Sequence, residues 1–336
     1  MKLVARWDLD KTYLRTDFDS PGALLRTAIE RPDHKRTVPG AAVLMRELER
    51  AGAAIHILSG SPEQLRSRIV QKLRLDGVVF ASLTLKPNLQ NLLRLRFRAL
   101  RGQLGYKLPA LLRRRCELGR QRDDSGALLG EILLGDDAEA DALVYSLYAD
   151  VCAGKVEPRE MVAILHASGA YPDEIADAER FASYVERGPV VERILIHLDR
   201  QSSPASFAAY GQRVVPFYNY LQAAFVLLGD GRLTAEAVMA VARELVVRHH
   251  FDGASLGRGY GELARRGHLG GRGVEALREA LPAMAASSTL PGASELGVMI
   301  RALEAEASQP MTPTPARECK LDYLALAGRL GRRRKR

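Results

Sequence analysis

The sequence lacks any apolar run of the roughly 18 residues that a membrane-spanning helix requires, and its longest candidate lies between Tyr220 and Gly229. It is also poor in cysteine, with three residues at positions 116, 152 and 319. An odd number of widely spaced cysteines argues against a disulfide framework or a zinc site, and it predicts a reducing compartment. The first residues run directly into an apolar segment, which leaves no room for a signal peptide. Together these absences predict a cytoplasmic protein.

Charge is unevenly distributed along the 336 residues, whose formal net charge is +9. The segment 86–122, which we call the basic lobe, contains eleven Lys or Arg and one acid, Glu117, and the chain ends in the basic tail 332–336. Such a concentration of positive charge favours binding to a membrane surface or an anionic polymer such as nucleic acid. A solvated arginine-rich helix would have the same composition, and both interpretations remain open.

Two carboxylates end the first apolar segment. The run from Leu3 to Trp7 predicts a buried strand, and Asp8 and Asp10 follow it. Carboxylates two residues apart can divide the chemistry at one phosphorus atom, because the first can attack or bind a metal while the second transfers the proton.

Three further motifs follow in a fixed order. A second apolar segment, 53–58, ends at Ser59 and Gly60. Next comes Lys107, and a third apolar segment, 132–134, leads into Gly135. In a parallel sheet the ends of such strands meet at one edge, where ligands gather. The acids that follow the third segment are Asp136, Asp137 and Asp141.

In this order the four motifs resemble those of the haloacid dehalogenase-like (HAD) hydrolases, and the Asp-x-Asp form is similar to their phosphatase branch. The resemblance covers the segment 1–150. Within it, the segments 7–13, 18–40 and 141–145 look like the catalytic domain of actin-patch-type phosphatidate phosphatases, which are distant relatives of lipins. The chain differs from that group at Lys11, where many relatives carry an acid, and at Tyr106, where histidine often precedes the lysine.

The resemblance implies a mechanism and a set of site residues. Asp8 would be the nucleophile that forms an aspartyl-phosphate, Asp10 the general acid and base, and Lys107 the catalytic cation that neutralises the phosphate. A Mg²⁺ ion would offset the repulsion between carboxylate and phosphate, since Mg²⁺ prefers oxygen ligands. The implied phosphate-binding residues are Thr12, Ser59, Gly60 and Lys107. The implied metal-binding residues are Asp8, Asp10 (through its backbone carbonyl), Asp136, Asp137 and Asp141.

Two assignments have alternatives. Lys86 competes with Lys107 for the role of the phosphate lysine, although Lys107 fits the order of the motifs better and is predicted to open a helix at 108–115. Ser61 begins a capping-box pattern with Gln64, and Pro62 suits the first helical position. This pattern predicts a helix over 62–74 with Ser61 as its N-cap, which favours Ser59 and Gly60 as the phosphate contacts.

Alternating strands and helices predict an α/β fold, a HAD-like Rossmannoid three-layer sandwich whose sheet is mostly parallel. Residues 213–217 predict an edge strand because they contain a proline. The glycines at 257, 259 and 261 follow no strand, so they are a weak signal for a nucleotide site. The predicted units are a phosphatase domain over 1–232, an all-helical appendage over 233–307, and a Pro-containing linker with the basic tail over 308–336.

The sequence thus predicts a Mg²⁺-dependent phosphomonoesterase, with phosphatidate-like lipids as candidate substrates at an anionic membrane surface reached through the basic lobe and the tail. Too few residues separate the first motif from Val38 for a large lid domain, so an open site is expected. The alternatives are a phosphatase acting on nucleic-acid ends or phosphoproteins, and a non-catalytic anion-binding adaptor.

Overall fold

The computed structural model describes residues 3–15, 35–86, 99–119, 121–269, 292–309 and 320–332, together with the single positions 279 and 282. Residues 18–34 of the segment that resembles phosphatidate phosphatases, residues 87–98 of the basic lobe, residues 310–319 of the linker and residues 333–336 of the basic tail lie outside the described residues. Within the described part of the chain, no helix is both long and apolar enough to cross a membrane.

Six parallel strands form one sheet at the centre of the protein. Their spatial order is β3-β2-β1-β4-β5-β6, so the order reverses between β1 and β4. Helices cover both faces, and the fold is therefore a Rossmann-like three-layer α/β sandwich, as the sequence predicts. The strands are β1 (Leu3–Asp8), β2 (Ala53–Pro62), β3 (Ser82–Lys86), β4 (Gly130–Asp136), β5 (Val191–His197) and β6 (Val214–Phe217).

Burial on both faces explains the composition of the strands. All six residues of β1 are buried, and β4 is buried at every position after its first. Strands covered on both sides read as continuous apolar runs rather than alternating ones, which is why β1 and β4 are conspicuous in the sequence. The edge strand β6 pairs only with β5 and contains Pro216, as predicted.

The helices of the described residues are α1 (Ala41–Arg50), α2 (Arg66–Leu75), α3 (Ala99–Leu118), α4 (Asp141–Cys152), α5 (Pro158–Ser168), α6 (Pro172–Tyr184), α7 (Tyr220–Gly229), α8 (Ala235–His249), α9 (Gly253–Arg265), α10 (Ala293–Ala307) and α11 (Tyr323–Arg332). They form two layers, each with its own apolar core. One layer contains α1, α2, α7, α8, α9 and α10, and the other contains α3, α4, α5, α6 and α11. Helix α3, with 20 residues, is the longest of them.

The glycine pattern near residue 257 belongs to helix packing. Gly253, Gly257 and Gly261 lie four residues apart on α9, and a Cβ atom at any of them would collide with α10. Their spacing places them on one face of the helix, so the absence of side chains lets the two backbones approach. The described residues of α8, α9 and α10 share an apolar core with β1 and α7.

Two predicted helix boundaries are wrong. Strand β2 continues to Pro62, a 3₁₀ turn covers Glu63–Leu65, and α2 begins only at Arg66. Ser61 is therefore a strand residue and not an N-cap. Helix α3 begins at Ala99 and contains Pro109, whereas the sequence predicts a short helix over 108–115. Lys107 thus lies in the middle of a long helix, which fixes its position more firmly than a helix end would.

Candidate active site

The site lies where the strand order reverses. Strands β1 and β4 are adjacent and parallel, with Trp7 opposite Leu134, so their carboxyl ends open at the same edge of the sheet. Asp8 is the last residue of β1 and Asp136 the last residue of β4. In open α/β sheets, ligands bind at such a switch point, beyond the carboxyl ends of the strands.

Four carboxylates converge at this point. Each of Asp8, Asp136, Glu139 and Asp141 offers an oxygen, and these oxygens all lie within 4.8 Å of one another. We call this set the acidic cluster. One ammonium group joins it: Lys107 Nζ lies 2.8 Å from Asp8 Oδ1, 2.8 Å from Glu139 Oε2 and 2.5 Å from Asp141 Oδ1. The cluster therefore holds a formal excess of three negative charges over this lysine.

A glycine allows Asp141 to reach the cluster. Asp141 begins helix α4, and its side chain turns back toward the end of β4, where Oδ2 accepts a hydrogen bond from the Asp136 amide at 3.2 Å. A Cβ atom at Gly135 would collide with the Asp141 carboxylate. The Gly-Asp pair at the end of β4 thus has a steric cause: only glycine leaves room for the second acid.

Burial destabilises the charged form of the carboxyl groups in the acidic cluster. Burial is the main reason why the pKa values of Asp8, Asp136 and Asp141 are raised, with repulsion from the neighbouring acids adding to it. Burial alone would lower the pKa of Lys107, but the charges of Asp141 and Asp8 outweigh it and raise that pKa. Lys107 is a fixed cation, and the remaining negative charge calls for a further one.

Asp8 is the least satisfied member of the cluster. It is 1% exposed, and its Oδ1 lies 2.8 Å from the Lys107 ammonium, but neither carboxylate oxygen accepts a hydrogen bond of normal geometry from a described residue. Buried carboxylates are normally saturated with hydrogen-bond donors. Oxygen atoms that lack such donors are available to a metal ion or an electrophile. Carboxylates are the ligands that Mg²⁺ and related hard cations prefer, so the donor set fits the predicted ion.

Asp10 lies beside the acidic cluster in a separate hydrogen-bond network. Its Oδ2 accepts hydrogen bonds from the hydroxyl groups of Ser59 at 3.0 Å and Ser61 at 3.1 Å. Burial raises the pKa of Asp10 to about 6, and the charge of Glu139 adds to the effect. A carboxyl group whose pKa is near neutrality can both donate and accept a proton, as a general acid and base must.

A tight turn places Asp10 next to Asp8. Lys11 adopts a left-handed conformation with φ of 59°, and the chain closes on itself through hydrogen bonds from the Tyr13 and Leu14 amides to the Leu9 carbonyl. The Tyr220 hydroxyl donates to the Thr12 carbonyl from the opposite side. The turn is thus held by backbone and core contacts rather than by the site residues themselves.

The remaining predicted residues lie in different places. The carboxylate of Asp137 accepts hydrogen bonds from the amides of Arg200 and Ser202 at 2.8 and 3.0 Å, and it is not part of the acidic cluster. The Asp10 side chain also lies outside that set. Thr12 Oγ1 is 3.4 Å from Asp136 Oδ2, where it supports a carboxylate. Gly60 lies next to the side-chain amide of Gln103.

Lys86 and Lys107 lie in different surroundings. Lys107 is fully buried within the acidic cluster. Lys86 ends β3, and its ammonium lies over the ring of Tyr106, 5.0 Å from the centroid. Lys107, which the order of the motifs favours, is thus the lysine that contacts the acidic cluster, while Lys86 contacts Tyr106 instead.

Two residues of the site were not predicted. Glu139 lies on the turn between β4 and α4 and belongs to no motif, so its spacing gave no signal. Ser61 was interpreted as a helix cap because its sequence pattern with Gln64 fits one. The hint that could have identified Ser61 is its alternation with Ser59, since residues two apart on a strand share a face.

Local ion pairs offset part of the positive charge in the described part of the basic lobe. Arg113 and Arg114 share one acid, Glu117, on the same helix. Arg115 is buried against Glu131, and Arg122 pairs with Glu186. Because Arg113 and Arg114 share one carboxylate, this part of the surface keeps a net positive charge.

Comparison with family models, curated proteins and solved structures found no match. The fold and the site by themselves define a Rossmann-like α/β protein with a buried acidic cluster that could hold a metal ion.

Proposed function

We propose that this chain is a metal-dependent phosphomonoesterase of the HAD-like type, in which Asp8 attacks the phosphorus atom. The observation that carries the proposal is a buried Asp8 carboxylate that contacts the Lys107 ammonium, accepts no hydrogen bond from a described residue, and lies among three other acids. A purely structural cluster would saturate its carboxylates with donors. The resemblance of the ordered motifs to HAD phosphatases supports the same conclusion.

The metal ion is Mg²⁺ in this proposal. Asp8, Asp136 and Asp141 would hold it. Once bound, the ion supplies positive charge that reduces the repulsion between the Asp8 carboxylate and the phosphate oxygens. Asp137 supports the site indirectly, because its carboxylate fixes the loop after β5.

The residues of the chain divide the reaction into two steps. In the first, an Asp8 oxygen forms a bond to phosphorus, the bond to the leaving oxygen breaks, and Asp10 donates its proton to that oxygen. In the second, Asp10 removes a proton from a water molecule, whose oxygen attacks phosphorus and releases Asp8 and inorganic phosphate. Lys107 neutralises phosphate oxygens throughout, and the hydroxyls of Ser59 and Ser61 orient Asp10.

The substrate class is proposed from the resemblance to phosphatidate phosphatases. A phosphatidate-like lipid would present its phosphomonoester at a membrane surface, where the basic lobe and the basic tail would contact anionic headgroups. In this proposal the protein is cytoplasmic and binds membranes peripherally.

A release assay for inorganic phosphate tests the proposal. The purified full-length chain is incubated with Mg²⁺ and a panel of phosphatidate vesicles, 5′-phosphorylated oligonucleotides, sugar phosphates and a phosphopeptide, with a chelator as control. The proposal expects Mg²⁺-dependent release that is fastest with phosphatidate. Faster release from oligonucleotides would replace the lipid substrate with nucleic-acid ends, and no release from any substrate would overturn the enzyme assignment.

A further inference from the structure

The acidic cluster is closed to solvent at every position but one. Asp8 and Asp136 are each 1% exposed, and Lys107 and Asp141 are fully buried. The side chain of Glu139 is 21% exposed. This burial differs from the open site expected from the sequence. A phosphate group that approaches Asp8 from solvent must therefore pass the one member of the cluster that solvent reaches.

Glu139 also contacts the ammonium group of Lys107, which is the cation that a bound phosphate would need. Its Oε2 lies 2.8 Å from Lys107 Nζ, and its oxygen is within 4.8 Å of the other three acids. Its charge contributes to the raised pKa of Asp10 on the other side of the site. The Glu139 carboxylate thus lies close to the proposed nucleophile and occupies the side of Lys107 that solvent reaches.

The local backbone allows this side chain to move without the cluster being dismantled. Glu139 lies on the turn 137–140, and its amide donates a hydrogen bond of 2.9 Å to Asp136 Oδ1. The backbone is thus anchored at the site, while the half-buried side chain can rotate toward solvent. Asp8 and Asp136 have no such freedom, because each ends a buried strand.

We propose that Glu139 is a gate that occupies the phosphate position through its contact with Lys107 and yields that contact to an incoming phosphate. This inference rests on the proposed function and adds to it the control of access to Asp8. The exchange is ionic: a phosphate oxygen replaces Glu139 Oε2 as the partner of Lys107, and no covalent bond changes. Glu139 is a positioning residue in this scheme, because it acts through Lys107.

The test measures binding of inorganic phosphate by calorimetry at a fixed, saturating concentration of Mg²⁺. Removing one competing negative charge next to the ligand should tighten the phosphate Kd of Glu139→Gln by about tenfold relative to wild type. The KM for the substrate should fall in parallel. Glu174→Gln is the matched control, because Glu174 is also half-buried against α3, but its carboxylate accepts from the Tyr171 amide instead of contacting Lys107. Its phosphate Kd should stay unchanged.

The second variant, Glu139→Ala, removes the carboxylate without introducing an amide that could itself bind phosphate. It should also tighten phosphate binding. Unchanged or weaker phosphate binding in both Glu139 variants would overturn the gate. A weaker Mg²⁺ affinity in both would also overturn it, because it would show that Glu139 is a metal ligand instead. If wild type neither binds nor releases phosphate, the proposed function fails, and the gate fails with it.

Discussion

Two buried charge clusters lie on the same three elements of this protein, and they differ in a way that separates structure from function. Strand β1, strand β4 and helix α3 contribute Asp8, Asp136 and Lys107 to the acidic cluster. Toward the other end of the strands, the same elements contribute Arg6, Glu131 and Arg115, which with Tyr148 form what we call the basic network.

The basic network saturates its carboxylate. Glu131 accepts hydrogen bonds from Arg6 Nε at 2.6 Å and Nη2 at 3.0 Å, from Arg115 Nη1 at 3.1 Å, and from the Tyr148 hydroxyl at 2.8 Å. Asp8, in contrast, has an ionic contact with Lys107 at 2.8 Å and accepts no hydrogen bond of normal geometry from a described residue. The comparison teaches that this chain can saturate a buried acid with hydrogen bonds, and that the acid it leaves without them lies at the proposed site.

The largest expected effect is on turnover. Asp8→Asn removes the nucleophile but keeps its shape, so phosphate release should fall by roughly 10⁴-fold or more. Since the substitution also removes one excess negative charge, thermal stability should not decrease. Activity equal to wild type, measured at matched protein and Mg²⁺ concentrations, would exclude Asp8 as the nucleophile.

The corresponding change in the basic network should affect stability instead. Glu131→Gln leaves two buried guanidinium groups without a counter-charge, and breaking a buried pair in this way costs about 3–5 kcal/mol. The free energy of unfolding in urea measures the loss. Turnover per folded molecule should remain near wild type. A large loss of turnover with unchanged stability would reverse the proposed roles of the two clusters.

Divalent cations should distinguish the two clusters directly. Mg²⁺ at a hundred times its Kd should stabilise wild type by about 2.7 kcal/mol, seen as a rise in Tm that a chelator abolishes. Asp136→Asn should lose this rise, because it lacks a ligand. Glu131→Gln should keep it, since the Glu131 carboxylate is already occupied by Arg6, Arg115 and Tyr148 and binds no metal. An equal rise in all three proteins would indicate nonspecific binding.

A smaller effect is expected from the hydroxyl groups that hold Asp10. Ser61→Ala removes one of two hydrogen bonds to its carboxylate, so kcat should fall by about tenfold while Mg²⁺ affinity stays constant. Ser203→Ala serves as a control, because Ser203 precedes a 3₁₀ helix on the surface. An unchanged kcat for Ser61→Ala would return Ser61 to a purely structural role.

The smallest effect concerns the pH dependence of stability and involves His56, which is influenced by Arg6 of the basic network. Burial, together with the charge of Arg6, lowers the pKa of His56 to about 4, below the ordinary value of about 6.5. The unfolded chain therefore binds more protons than the folded one between these values, and this contribution to stability is lost as pH falls from about 6.5 toward 4. Unfolding in urea at pH 7 and pH 5 should show a smaller difference for His56→Gln than for wild type. An identical pH dependence of stability in wild type and His56→Gln would contradict a lowered pKa of His56.

Much of the fold could be predicted from the sequence, because the strands are buried on both faces and stand out as apolar runs. The predicted edge strand at 213–217 agrees with β6. The sequence predicts the region 233–307 to be helical but does not locate α9, which contains four glycines at 253, 257, 259 and 261. Tertiary packing against α10 overrides their weak intrinsic helix propensity.

In the candidate site, the residues at strand ends could be predicted to lie together, but those on turns could not. Asp8 and Asp136 end adjacent parallel strands, so their convergence follows from topology. Glu139 lies on a turn, and its approach to Lys107 depends on the path of residues 137–140, which no periodicity specifies. Ser61 was assigned wrongly for a different reason, because its sequence also fits a helix cap. The structure instead extends β2 through Ser61 to Pro62, which pairs with Lys86 of β3.

The central claim is that the carboxylate of Asp8 becomes covalently bonded to phosphorus. The most direct test is to incubate the protein with Mg²⁺ and a reactive substrate such as p-nitrophenyl phosphate, quench in acid, and map the protein by mass spectrometry. The account predicts one added phosphoryl group on the peptide that contains Asp8, absent in Asp8→Asn and in samples without Mg²⁺. Active turnover without this adduct, or an adduct on another residue, would contradict it.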